Sequence, residues 1–315
     1  MTRDSTLRLS PTIETVPHPV IQPPPQQPAR RVGSWLIPLR FWHLASLDAP
    51  TVAVVWSLSF AWAAGVRLPL WIPVLQALVV WAVYIGDRVL DTRAALRGAR
   101  PERLRERHHF HWRHRRVFVP LAAASAGAAL WITLEWMPAA VRERTSVLAA
   151  ASLAYLARVH TGQRLRPFVA RIFTKELLVG VLFTGGCALP AAGMLWAMPR
   201  ASFARLVGPA ALFAVLAWLN CHAIDHWESG ANHFGRSPVS LAGLSIGAAG
   251  MMIALLLWAA FPHSALLLAA GGVSALLLAF LDRRRRRISP VDLRASADLV
   301  LLTPALLIPL EWLTR

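Results

Sequence analysis

The sequence VYIGDRVLD, Val83 to Asp91, closes an apolar run that opens near Trp71. Two carboxylates and an arginine at the end of so long a stretch are costly at membrane depth, and ionisable groups in that setting are read as functional by default. Asp87 and Asp91 stand four residues apart, so a helix puts them on one face. That spacing suits one hard divalent cation held by oxygen ligands, its remaining positions gripping a phosphate. It suits equally an ion pair at the membrane surface, Asp87 with Arg88 or Arg93.

Outward from this stretch the whole chain reads the same way. Its 315 residues are 56% hydrophobic and include 14 Trp, and the mean hydropathy is +0.48. Several separate runs of about 20 apolar residues have the length a bilayer span requires. This composition excludes an ordinary soluble protein and points to a polytopic, all-α membrane protein. The net charge of +17 and pI near 11.7 do not indicate a nucleic-acid partner, because the arginines form short clusters between apolar runs. Cys187 and Cys221 both fall in apolar segments and supply no disulfide framework.

Residues 1–34 are rich in proline, with Pro23, Pro24 and Pro25 in a row, and hold too little apolar surface for a core. They read as a disordered cytoplasmic tail, without the apolar core of a signal peptide. Residues 35–315 read as the transmembrane domain. Trp35 to Trp42 suits a short interfacial piece. Nine spans follow, at about 44–66, 68–91, 117–137, 145–159, 173–194, 203–225, 239–261, 264–281 and 293–313. With the N-terminus inside, three of the four inner connections are heavily basic: Thr92 to Arg116, the segment holding Arg158, Arg164, Arg166 and Arg171, and the run Arg283 to Arg287. The outer connections hold only Arg67, then Arg142 and Arg144, then Arg200 and Arg205. The positive-inside rule therefore predicts an inner-membrane protein with a cytoplasmic N-terminus and an outside C-terminus. It also puts the stretch at Asp87 and the polar sequence from Asn220 to Glu228 on one side, at the ends of even-numbered spans.

On these residues the chain resembles the UbiA superfamily of intramembrane prenyltransferases, whose first motif, NDxxDxxxD, ends the second helix and whose second acidic motif follows the sixth. Asp87 and Asp91 match the last two positions of the first motif, while Val83 and Tyr84 stand where that family has Asn and Asp. In the second motif, DxxDxxxD, Asp225 fits the middle position, His222 occupies the first and Ser229 the last, with Glu228 one residue short. The fifth segment, with Arg171, Lys175 and glycines running to Pro190, looks like the corresponding helix. The likeness extends from about Leu44 onward in helix count, orientation and motif placement.

The resemblance implies a UbiA-like helical bundle that transfers a prenyl group from a prenyl diphosphate to a lipid or aromatic acceptor. In that family Mg2+ neutralises the departing diphosphate. Carried over residue by residue, it makes Asp87 and Asp91 ligands of one Mg2+, and Asp225 with Glu228 ligands of another. Arg88, Arg93 and Lys175 become diphosphate contacts, and Tyr84, Asn220 and His222 polar neighbours. Lys175 with Glu176 equally suits a snorkelling pair, and Arg283 to Arg287 reads best as an anchor to anionic lipid.

Two rival readings stand beside this one. His108, His109, His111 and His114 cluster in one inner connection and His222, His226 and His233 in another. Such spacings also occur in His-rich di-iron hydroxylases and desaturases, although the arginines interleaved with the first cluster favour a phosphate-facing or lipid-facing basic lid. The loss of Asn and Asp at Val83 and Tyr84 instead suits a non-catalytic UbiA-like protein that binds lipid.

Overall fold

The computed structural model describes residues 36–97, 105–161, 175–196, 203–229 and 237–307. Among them all regular structure is helical. The helices are α1 (Leu36–Leu44), α2 (Asp48–Ala64), α3 (Trp71–Arg97), α4 (Glu106–Arg113), α5 (Arg115–Glu135), α6 (Ala139–Thr161), α7 (Lys175–Leu195), α8 (Ala204–Glu228), α9 (Pro238–Leu257), α10 (Pro262–Arg284) and α11 (Pro290–Val300). Short 3-10 turns, Arg285–Arg287 and Thr303–Leu307, follow the last two. The proline-rich tail, the connection with Arg164, Arg166 and Arg171, and His233 lie outside the described residues.

Six helices are long and apolar enough to cross a membrane: α3, α5, α7, α8, α9 and α10. A seventh arises if α1 and α2, which meet at 89°, count as one bent span. The protein is therefore an all-helical integral membrane protein. Two of the nine expected spans look different from the rest. α6 covers the fourth but carries Arg142, Glu143 and Arg144 in its opening turns. The ninth begins in α11 and breaks after Val300, its last part lying beyond the described residues.

The break after Val300 is held by side chains that take the carbonyls a helix end leaves open. Trp56 Nε1 donates to the Leu301 carbonyl at 2.9 Å and Ser274 Oγ to that of Val300 at 2.7 Å, while Thr303 Oγ1, past the break, donates to the Ala270 carbonyl of α10 at 2.7 Å. In an apolar interior such freed groups would otherwise cost several kcal/mol each. α2 ends on Gly65, whose φ of +72° supplies the left-handed residue of a Schellman cap.

The core lies where α2, α7, α8 and α10 meet. Trp56 stacks on Phe213 with ring centroids 3.8 Å apart, and Phe60 closes on both. α9 packs on α10 through small residues. A Cβ on Gly243 would sit 2.8 Å from the Ala275 carbonyl oxygen, so only glycine permits that approach. Of α10's most apolar stretch 61% is buried, against 17% for α5, which makes α10 central and α5 peripheral.

Candidate functional site: a buried arginine cluster at one end of the bundle

Ionisable side chains from six helices gather at the end of the bundle where α1 finishes, α2 starts and α3 and α8 finish. The local links are short. Arg88, buried on α3, bonds Asp87 Oδ2 through Nη1 at 2.7 Å and lies with its guanidinium 5.5 Å from the Tyr84 ring centroid. One turn on, the Asp91 Oδ2 is 3.7 Å from His108 Nε2. Glu228, at the end of α8, is bridged by Arg105 and Arg294. Arg294 is itself buried, on the first turns of α11.

α4 is the lid over this end, and its polar sequence explains its shape. Arg105 caps it: the Arg105 N–H donates to His108 Nδ1 at 3.1 Å, which fixes the proton of that ring on Nε2, toward Asp91. His111 Nδ1 donates to the Arg107 carbonyl at 2.8 Å, and its ring packs on Phe110 and Phe118. Both histidines are buried, and burial holds both below the usual histidine range, with Arg88 and Arg107 pushing the same way. Among the described residues the first histidine cluster forms no metal-scale group with other His, Cys, Asp or Glu side chains. Its members build and seat a helix.

The lid brings Arg107 down among the other arginines. Arg294 feels the charges of Arg107, Arg105 and Arg88, and Arg107 that of Arg88. Burial, then repulsion from Arg88, drops the Arg107 guanidinium to about 10. The Nε atoms of Arg88 and Arg107 are buried without an acceptor. An array of buried and half-buried cations with donors to spare is what a multiply charged anion would satisfy, and guanidinium forks match phosphate oxygens two at a time.

A second set lies beside it. His43, at the end of α1, is 2.7 Å from Asp48 Oδ2 and 3.4 Å from Asp298 Oδ2, both measured from Nδ1. Asn220 on α8 donates from Nδ2 to Asp298 Oδ1 at 3.0 Å.

The expected residues divide accordingly. Asp87, Asp91, Arg88, Tyr84, Asn220 and Glu228 all belong to this end and take part in the contacts above. Asp225 is exposed, as is Arg93. His222 stacks on Trp218 at 5.3 Å and on His226 at 6.4 Å. Lys175 opens α7, and its side chain lies outside what is described. Among the described residues the one group of three or more possible ligands with mutually close atoms is His43, Asp48 and Asp298, which contains none of the carboxylates expected to hold Mg2+. Asp87 and Glu228 each face arginine instead, and Asp91 faces the Nε2–H of His108.

His43, Arg294 and Asp298 are not among the residues expected from the sequence, whereas Arg107 belongs to the arginines expected to form a basic lid. Asp298 had a legible signal, a carboxylate inside an apolar segment. Arg107 had one too, its place among the histidines of a basic connection, but nothing in the sequence separates it from Arg113, Arg115 and Arg116. No family model, no curated protein and no solved structure matches the chain.

Proposed function

We propose that this protein is an intramembrane enzyme that binds a prenyl diphosphate by its head group at the arginine cluster and transfers the prenyl group to a hydrophobic acceptor. The observation that carries it is the gathering of Arg88 and Arg294, both buried, with half-buried Arg107, the Nε donors of Arg88 and Arg107 being buried and unused, at one end of an apolar bundle. A cluster of like charges taken out of water is costly by itself, and a diphosphate with its polyisoprenyl tail among the helices would offset that cost. In the transfer, the allylic C–O bond breaks with both electrons leaving on the diphosphate. The arginines hold that charge, the carbocation alkylates the acceptor, and the acceptor loses a proton. A UbiA-like arrangement of nine spans in the inner membrane, with the cluster toward the cytoplasm, is part of this proposal.

The test is titration of purified protein in detergent with geranylgeranyl diphosphate, followed by measurement of diphosphate release in the presence of membrane lipid extract. Saturable binding that falls at least tenfold in R88M and R107M supports the reading, and the absence of saturable binding defeats it. The magnesium dependence implied by the family likeness is read in the same assay by adding EDTA: release that survives EDTA leaves the charge on the arginines. One observation favours a second reading, a non-catalytic lipid binder, because Asp87 and Glu228 already have arginine partners and Asp91 has His108. Tight binding without diphosphate release from any lipid extract would select it.

A further inference from the structure

Next to the arginines, the fold assembles three ligand atoms from distant parts of the chain. His43 closes α1, Asp48 opens α2 and Asp298 lies in α11. Two devices bring them together. The 89° bend between α1 and α2 turns Asp48 back toward His43. Arg40, a turn before His43, grips Asp292 through two bonds, of 2.5 Å and 2.8 Å, and so fixes α1 against the start of α11.

The three ligand atoms all lie within 4.8 Å of one another. His43 and Asp48 are buried and the Asp298 side chain is 17% exposed. Two carboxylates compete for a single Nδ1 hydrogen, at 2.7 Å and 3.4 Å. One imidazolium proton cannot serve both fully, whereas one cation can. Ligands bound at about 2.0–2.2 Å to a tetrahedral or octahedral ion stand roughly 3.0–3.4 Å apart. The His43–Asp298 separation already has that value, and the His43–Asp48 pair opens by a few tenths of an ångström to reach it.

Asn220 is an independent pointer to a ligand. It is only 7% exposed and is aimed at the cluster, its Nδ2 on Asp298 Oδ1. Its Oδ1 is buried and has no hydrogen-bond partner. The amide reaches the cluster through Nδ2, and turning it over exchanges its two atoms, so that this unpartnered oxygen becomes a ready fourth ligand or the acceptor for a metal-bound water. One nitrogen among oxygen donors favours a first-row transition ion such as Mn2+, Fe2+ or Zn2+ over Mg2+ or Ca2+, which take oxygen alone.

We propose that His43, Asp48 and Asp298 bind one divalent transition-metal ion, with Asn220 Oδ1 at or next to its fourth position. The site is argued from residues that the diphosphate proposal does not use, so either can fail without the other. Two carboxylates balance the ion's charge, which leaves the neighbouring Arg107, within electrostatic reach of Asp48 and Asp298, available to an anion.

The full-length protein, purified in a mild detergent and stripped with chelator, is titrated with Co2+ as a visible probe, while the unstripped protein is assayed for metal by mass spectrometry. The expected result is about one equivalent of Co2+ per chain, with absorption bands between roughly 500 and 700 nm of a site containing a nitrogen ligand. H43Q and D298N lose the equivalent, and N220A keeps it with a shifted spectrum. D87N, in the other acidic pair, retains the wild-type spectrum. Failure of the wild-type protein to bind Co2+ overturns the proposal without recourse to any variant. Retention of the equivalent in an H43Q/D298N double variant that elutes like wild type overturns it as well.

Discussion

Asp282 and the arginine cluster are both buried charges near helix ends, and they differ in whether their partners suffice. The Asp282 side chain is fully buried at the end of α10 and is completely served: Trp227 Nε1 donates to it at 2.9 Å, Arg285 Nη1 at 2.7 Å, and Ser240 Oγ donates to its other oxygen. It ties α8, α9 and α10 together with nothing left over. Arg88, Arg107 and Arg294 repel one another, and two of their Nε atoms have no acceptor. A fully satisfied buried charge is a structural joint, whereas buried arginine donors left over after Asp87 and Glu228 have taken their share are a place that waits for a ligand.

The largest expected effect breaks the joint. D282A strands the Trp227 and Ser240 donors and the Arg285 charge, and breaking a buried pair in this way costs about 3–5 kcal/mol. Thermal unfolding in detergent should show a large loss for D282A, and an unchanged midpoint would remove the contrast drawn above.

The opposite sign is expected at the arginine cluster. R107M removes one of several mutually repelling cations and keeps the apolar stem, so stability holds or rises while diphosphate affinity falls. A hydrogen bond to a charged group contributes about 1.5–3 kcal/mol, so the loss should be roughly 10- to 100-fold. Affinity from titration and midpoint from unfolding are read on the same preparation. A variant that loses stability and affinity together would make Arg107 a structural residue like Asp282.

A pH dependence sharpens the comparison at the lid. His108 and His111 are held below the ordinary value of 6.5 by burial and by nearby arginines. A histidine whose pKa is lowered on folding stabilises the fold fully above its unfolded value, and this contribution is lost as pH falls toward its folded value. The seating of α4 should therefore weaken below about pH 6.5 and be flat above it. Amide exchange of residues 106–113 follows this directly. In H111F, whose ring keeps the packing on Phe110 and Phe118, the slope should shrink, and an undiminished slope would move the titration elsewhere.

Much of the fold was legible because apolar length and arginine clustering are properties of the sequence alone. α3, α5, α7, α8, α9 and α10 all begin within a few residues of an expected span. The ends of the chain were less so. Where α11 breaks after Val300, side chains from α10 and α2 take the carbonyls of Val300 and Leu301, and those partners are 26 and 245 residues away. The site was half legible for the same reason. Asp87, Arg88 and Glu228 stand in motif-like runs, whereas the company of Arg107, Arg294 and Asp298 exists only once α4 and α11 have been folded over α3 and α8.

The smallest expected effect bears on which face of α3 the ligand uses. Gly86 separates Ile85, which is 1% exposed, from Asp87, and a Cβ placed on it meets nothing within 4 Å. Its helical neighbours Val83 and Leu90, three before and four after, are both exposed. Gly86 thus lies on the outer, lipid-side stripe, while Arg88 and Ile85 point inward. Replacing a helix-interior glycine with alanine on such a stripe stabilises by roughly 0.5–1 kcal/mol through backbone entropy. G86A should therefore raise the unfolding midpoint slightly and leave diphosphate affinity unchanged. If it weakens binding instead, the head group approaches α3 from the Gly86 side, and the arginine pocket would have to open outward between α3 and the lipid rather than inward beneath α4.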